Sequence, residues 1–209
     1  TMNQGKSSVR FKTGMIVPRA RQAEYLGTIL SDTNNHKIEI DSRLAECNAT
    51  ANKLKIFWNK ANTGSKWKLQ VLDAVIRSKL LYGLETIQLT EAEIARIDAY
   101  QTKCIRRILG VPPTHIDRMW TNETVWNIAK NEVGKKFKII KFSQMWGSLK
   151  MSLLGHVLRA KGNDPLRQVT LEGLADYPRI IPKYRVGRPR LDWIEESYRE
   201  AYKIIKKDS

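Results

Sequence analysis

Apolar residues at helical spacing fill the middle of the chain. Over Lys37–Ala61 they recur at steps of three and four residues, which predicts one continuous amphipathic helix. Residues 66–86 are apolar on almost every side, so we expect a second helix at the centre of a bundle. Thr90 and Glu93 have the spacing of a capping box for a third helix, and Gly110 with the prolines after it should end that helix. The pattern therefore predicts three packed helices.

A short extended pattern precedes these helices. Val9 and Phe11 alternate with polar neighbours, Met15–Val17 is a brief apolar run, and Tyr25–Leu30 predicts another strand. The polar residues 31–35 are typical of a turn. We expect a small β-hairpin at the start of the chain.

Helical signals continue after the third helix, with Pro112-Pro113 as the predicted domain boundary. Thr121 should cap one helix, Ser143 should begin another, and Asp164-Pro165 a short third. A last helix is predicted from about Asp192 to Lys207. The fold class is thus mainly α, in three parts: a β-hairpin (1–35), a three-helix bundle (36–111) and a basic helical C-terminal region (112–209).

Charge narrows the range of partners. The 209 residues carry a formal charge of +16, an excess that favours contact with a polyanion. Nucleic acid is the first expectation and an anionic membrane surface a distant second, because no basic amphipathic helix stands apart from the core and no apolar run is long enough to span a bilayer. Cys47 and Cys104 lie on apolar helix faces, which predicts buried free thiols.

The residues offer little for catalysis, metal ions or a cofactor. His36, His115, His156 and the two cysteines have no metal-ligand spacing, so we expect no metal and no cofactor. A phosphate-binding loop and a nucleophile motif are also missing. The closest carboxylate pairs fall at helix starts or on polar faces, where they complement the helix dipole. We therefore expect no autonomous active site.

Basic residues recur on successive elements. Acids are scarce between residues 134 and 163. Phe137, Phe142, Trp146 and Tyr184 interleave with the cations; these rings could stack on bases, although core packing is favoured for Trp146. The Gly-Arg-Pro core of 185–190 is similar to segments that enter an AT-rich minor groove, and a plain flexible loop explains it about as well.

Taken in order, several motifs resemble the C-terminal part of a non-LTR (LINE-type) retroelement reverse transcriptase. The N-x-x-K-S pattern at Asn3–Ser7 is similar to a palm motif, and Tyr25-Leu26-Gly27 to the segment at the primer-gripping hairpin. Three later motifs resemble the helices of the polymerase thumb: Ile40-x-x-Arg43-Leu44, Leu81-Tyr82-Gly83-Leu84-Glu85 and Gln101-x-x-Cys104-Ile105-Arg106-Arg107-Ile108-Leu109. Two more resemble the tail downstream of such thumbs: Leu154-Gly155-His156-Val157-Leu158-Arg159 and Gly187-Arg188-Pro189-Arg190-x-x-Trp193.

The resemblance implies a grip on nucleic acid and no polymerase activity in these residues. The catalytic aspartates of that family precede the part that the motifs cover, and the family's Cys/His zinc knuckle is absent from the sequence. The fold implied is the end of a palm, a thumb-like bundle and a basic tail. The chain could then be a fragment of a reverse transcriptase or a module retained alone.

Two hypotheses follow. In the first, the chain is a noncatalytic RNA-binding module that grips structured RNA or an RNA-containing duplex. In the second, it is a structural subunit of a large ribonucleoprotein, such as a mitochondrial ribosome, with other proteins as neighbours. The acid-free, basic first 23 residues suit an organelle transit segment, but their strand pattern and Pro18 favour a folded edge, so the nucleus and an organelle both stay open as compartments. The residues expected to contact nucleic acid are Lys53, Lys55, Lys60, Arg106, Arg107, Lys135, Lys136, Arg185, Arg188 and Arg190.

Overall fold

The computed structural model describes residues 20–25, 27–31, 36–172 and 192–208, with positions 12, 14, 15, 177 and 178. The chain forms two compact units, Thr1–Glu39 and Ile40–Ser209. A mainly helical fold preceded by a small hairpin, as the sequence predicts, is confirmed. The strands expected near residues 9–11 and 15–17 fall largely outside the described residues.

The first unit contains an antiparallel hairpin of β1 (Gln22–Tyr25) and β2 (Thr28–Ser31). The single strand predicted over Tyr25–Leu30 is wrong, because Gly27 has a φ of 75° and lies in the turn between the two strands. A residue with positive φ cannot continue an extended strand, and glycine adopts this conformation without steric cost.

The second unit is built of helices with short connections. After α1 (His36–Lys53), whose first residues belong to the first unit, come the elements α2 (Lys55–Lys60), α3 (Ser65–Val71), a π-helical segment (Leu72–Arg77), α4 (Ser78–Leu81), a 3₁₀ turn (Leu84–Thr86), α5 (Glu91–Leu109), α6 (Asn122–Val133), α7 (Phe142–Arg159), α8 (Pro165–Thr170) and α9 (Trp193–Asp208).

The first predicted helix is interrupted at Leu54. The indole N–H of buried Trp58 donates to the carbonyl oxygen of Ala51 at 2.9 Å. In an uninterrupted α-helix that carbonyl accepts from the N–H of Lys55. The indole therefore competes with the helical hydrogen bond at the point where α1 ends and α2 begins.

The second predicted helix is also shorter than expected, and only one side of it is buried. It ends at Leu81, and Gly83 follows in the left-handed conformation with a φ of 72°. The buried apolar positions of residues 66–86 are Leu69, Leu72, Ile76, Leu80, Leu81 and Leu84. Trp67 is 56% exposed and Val75 38%, so the expectation of a helix enclosed on all sides is wrong.

The predicted helix caps are confirmed. Thr90 and Glu93 form a capping box at the start of α5, and Gly110 ends that helix with a φ of 69°. The Thr121 side chain accepts from the Thr124 N–H before α6, and Asp164 caps α8 ahead of Pro165. These caps use hydrogen bonds between neighbours in the chain, which sequence spacing specifies directly.

One buried core continues across Pro112-Pro113. Ile97 and Ile105 of α5 belong to the same cluster as Val125 of α6 and Trp146 of α7. The two sides of the predicted boundary at residue 112 therefore share their apolar packing. A smaller cluster follows, made of Leu154, Val157, Leu171 and Ile194.

Candidate nucleic-acid interface

The helices α1 and α5 run parallel and are joined by two side-chain contacts. Arg96 forms an ion pair with Asp41, and the guanidinium of Arg107 donates to the Asn52 side-chain oxygen at 3.4 Å. Both contacts join residues 55 positions apart. The later contact lies about three helical turns beyond the earlier one along both helices. This register places Arg107 beside the last turn of α1.

Several exposed cations gather where α1, α2 and α5 meet. Trp58 of α2 and Arg107 of α5 line the same small cavity as Ala51, so the three helices approach one another here. Lys103 lies one turn before Arg107 on the same face of α5. We call the exposed cations of this region the cationic edge: Lys53, Lys55, Lys103 and Arg107. Lys60, also exposed, ends α2.

Arg106 does not belong to this surface, and its assignment as a phosphate contact is corrected. The side chain is buried and donates to the carbonyl oxygens of Pro112 at 2.7 Å and Trp120 at 2.6 Å. It also donates to the side chains of Thr114 at 3.1 Å and Asn122 at 2.9 Å. Through these hydrogen bonds the guanidinium holds the α5–α6 connection in place, so Arg106 has a structural role.

The basic loop (residues 134–141) presents a second set of cations. Lys135 and Lys136 are exposed after α6, as predicted, and so are Lys138 and Lys141. Ile139 is buried and Phe137 packs against the core, so the apolar side chains of the loop anchor it while the lysines face outward.

Two polar residues of α5 fix the end of the basic loop. Buried Gln101 donates to the Ile140 carbonyl at 2.9 Å and accepts from the Phe142 N–H at 2.8 Å. One turn earlier, Asp98 accepts from the backbone N–H and the hydroxyl of Ser143 at 3.0 and 2.8 Å. The first turn of α7 is thus capped from another helix. Gln101 looks like an ordinary stripe position in the sequence, and its role there was missed.

The aromatic residues singled out within 134–163 belong to the interior. Phe142 is fully buried, Phe137 is half-buried, and the indole N–H of buried Trp146 donates to the Leu84 carbonyl at 2.9 Å. The rings of Phe142 and Trp146 therefore cannot stack on a base in this fold, and Phe137 packs against the core. Trp67, which lies in the helix expected at the centre of the bundle, is instead 56% exposed.

The remaining predicted residues are Tyr184, Arg185, Arg188 and Arg190, which lie outside the described residues together with the Gly-Arg-Pro core.

Reactive groups are few in the described part of the chain. Within it, no group of three or more His, Cys, Asp and Glu side chains is placed to hold a metal ion. Both cysteines are buried free thiols, as predicted. Burial raises the pKa of Cys47 to about 11 and also raises the pKa of Cys104, so both stay protonated at neutral pH and are poor nucleophiles.

Among the described helices, none has the length and apolarity that crossing a bilayer requires. Comparison of the chain with protein-family models, with curated proteins and with solved structures finds no match. The exposed cations and the sequence motifs are therefore the features that indicate a function.

Proposed function

We propose that the chain is a noncatalytic RNA-binding module that grips structured RNA or an RNA-containing duplex through its phosphates, as a reverse-transcriptase thumb does. The observation that carries the proposal is the distribution of acids. Residues 47–72 and 133–163 contain no Asp or Glu, and we call them the two acid-free segments. Their exposed cations are Lys53, Lys55, Lys60, Lys66, Lys135, Lys136, Lys138, Lys141, Arg159 and Lys161.

Within these segments Lys141 lies 4.0 Å from Asp98 of α5, and elsewhere on the surface further cations face acids. Lys79 pairs with Glu46 at 3.2 Å and Arg77 with Asp73 at 2.9 Å. Such pairs reduce the local potential, whereas a segment without acids keeps its positive potential for a polyanion. The net charge of +16 supports the same partner class.

Contacts within the fold fix the positions of several of these cations. Arg107 is held by Asn52, and the end of the basic loop is fixed by Gln101 and Asp98. Positions set by the fold suit a partner of regular geometry, such as the phosphate rows of an A-form duplex, and they read shape more than sequence. The sequence motifs that resemble a polymerase thumb support the same ligand, an RNA-containing duplex.

The test is the salt dependence of binding to a blunt RNA duplex, measured by fluorescence anisotropy. Each phosphate contact contributes about one unit to the slope of log K against log salt. We expect K53Q/K55Q/R107Q to lower both affinity and slope. The matched control K203Q/K206Q removes exposed lysines from α9, which also carries Glu195, Glu196 and Glu200, and should change neither.

An affinity that is insensitive to salt would refute the proposal. Equal affinity for a B-form DNA duplex would show that the chain binds polyanions in general and does not select RNA. Wild-type slopes in both variants would exclude the cationic edge from the contact.

A further inference from the structure

Trp67 is more exposed than the other five tryptophans, of which Trp120 and Trp193 are half-buried. Trp58, Trp126 and Trp146 are each at most 8% exposed, and their indole N–H groups donate to protein oxygen atoms. Trp67 is instead 56% exposed in the first turn of α3. A single exposed ring does not by itself mark a binding site, so its support and the charges near it decide whether it suits a ligand.

The start of α3 is held firmly below this ring. Lys68 is buried, and its ammonium donates to the Trp58 carbonyl oxygen at 2.8 Å. The backbone N–H of Trp67 donates to the Gly64 carbonyl oxygen at 3.1 Å. The ring is therefore carried by a helical turn that is fixed to α2, which lowers the entropy lost when a partner orders it.

The charged residues nearest to Trp67 in the sequence are all cations. Trp67 lies within the first acid-free segment, directly after the exposed Lys66 and seven residues after the exposed Lys60 that ends α2. An aromatic face with cations nearby in the chain suits a nucleobase stacked on the ring, with neighbouring phosphates at the lysines.

We infer that Trp67 is a stacking platform for one unpaired base of the bound RNA, with Lys60 and Lys66 holding neighbouring phosphates; this inference rests on the proposed function. The cationic edge then holds the duplex, and Trp67 takes a base at an end or bulge next to it. The ligand is a junction between paired and unpaired RNA.

An anionic membrane is the competing partner, because Ile56 on α2 is also 74% exposed. Interfacial helices, however, present an apolar face over several turns. The helix α2 has six residues and buries Trp58, so it offers one exposed apolar side chain instead of a face.

The experiment compares two RNA duplexes, one blunt and one with a three-nucleotide overhang that contains the fluorescent base 2-aminopurine. We expect W67A to weaken binding to the overhang duplex about tenfold, the typical loss of one stacked base. Binding to the blunt duplex should be unchanged. W67F should keep most of the affinity, and Y202A, which removes a ring that is 67% exposed on α9, should have no effect.

A direct signal completes the test. Stacking should quench the 2-aminopurine fluorescence with the wild-type protein and with W67F, and the quenching should be lost with W67A. Circular dichroism confirms that each variant is folded. Trp67 is exposed, so we expect no loss of structure.

The outcomes separate this inference from the proposed function. Normal, salt-dependent binding to the blunt duplex together with no W67A effect on the overhang duplex overturns the stacking site alone. Absence of binding to both duplexes overturns both. Cosedimentation with phosphatidylserine vesicles that depends on Trp67 and is not displaced by RNA would assign the ring to a membrane surface.

Discussion

The ammonium nitrogen of Lys150 lies 2.7 Å from a carboxylate oxygen of Glu200, and Lys150 is fully buried. The same ammonium donates to the side-chain oxygen of Gln88 at 3.0 Å and lies 4.6 Å from the centre of the Trp146 ring. These contacts join α7 to α9 and to the segment before α5. A buried cation with this many partners makes the position of α9 specific.

The two ends of this ion pair should differ in their effect on stability. E200A leaves a buried ammonium without its carboxylate, and we expect a loss of about 2–3 kcal/mol in the free energy of unfolding. K150M fills the same space with an apolar side chain and leaves Glu200, which is partly exposed, to be hydrated, so its cost should be about 1 kcal/mol. Urea unfolding measures both, and a larger loss for K150M would contradict this account.

Arg106 and Arg107 should have separate roles despite their adjacency. R106Q removes hydrogen bonds from part-buried carbonyl oxygens, and we expect a loss of about 2 kcal/mol in stability with little change in the RNA affinity of the folded fraction. R107Q should leave the thermal midpoint within about 1 °C and weaken RNA binding. Thermal melting and anisotropy on the two variants provide the measurement. A stable R106Q with weakened binding would return Arg106 to the interface.

Asp98 should control the local stability of the basic loop. D98A removes both acceptors of Ser143, and we expect the amide of Ser143 to exchange with solvent about tenfold faster, the loss of roughly one hydrogen bond. Hydrogen exchange followed by NMR measures this. The amides in the middle of α6 serve as an internal control and should keep their protection. Uniformly faster exchange would show that D98A acts on the whole fold.

Stability should decline in alkaline solution. Burial raises the pKa of Cys47 from 9.0 to about 11, and it also raises the pKa values of Cys104 and Tyr100. The unfolded chain therefore releases these protons at lower pH than the folded chain, so the contribution of these groups to the free energy of unfolding is complete below about pH 9 and falls between pH 9 and 11. Urea midpoints at several pH values test this, and C47A should flatten the decline. An increase in stability over that range would contradict the assignment.

Local signals made much of the fold predictable. The Thr90 cap, the Gly110 stop and the Asp164-Pro165 helix start each depend on residues within one turn of each other, and all appear in the structure. The turn at Gly27 is also a local event, but the β-forming residues around it favoured one continuous strand.

The features that the sequence did not predict depend on tertiary contacts. Arg106 and Arg107 are adjacent cations in the sequence, and only the path of the α5–α6 connection determines which one is buried. The exposure of Trp67 likewise depends on how α3 packs against α5 and α6, because periodicity cannot distinguish an apolar residue facing a neighbour from one facing water. The break at Leu54 depends on the Trp58 indole, whose acceptor is seven residues away.

The parallel register of α1 and α5 has a consequence for folding. The contact between Asn52 and Arg107 closes a loop of 55 residues, so the cationic edge forms only after the intervening helices have packed. A chain still emerging from the ribosome, with α1 and α2 exposed, already carries Lys53 and Lys55 but has no Arg107 beside them. The edge is a product of complete folding, and we expect RNA capture to begin only when α5 has been synthesised and docked.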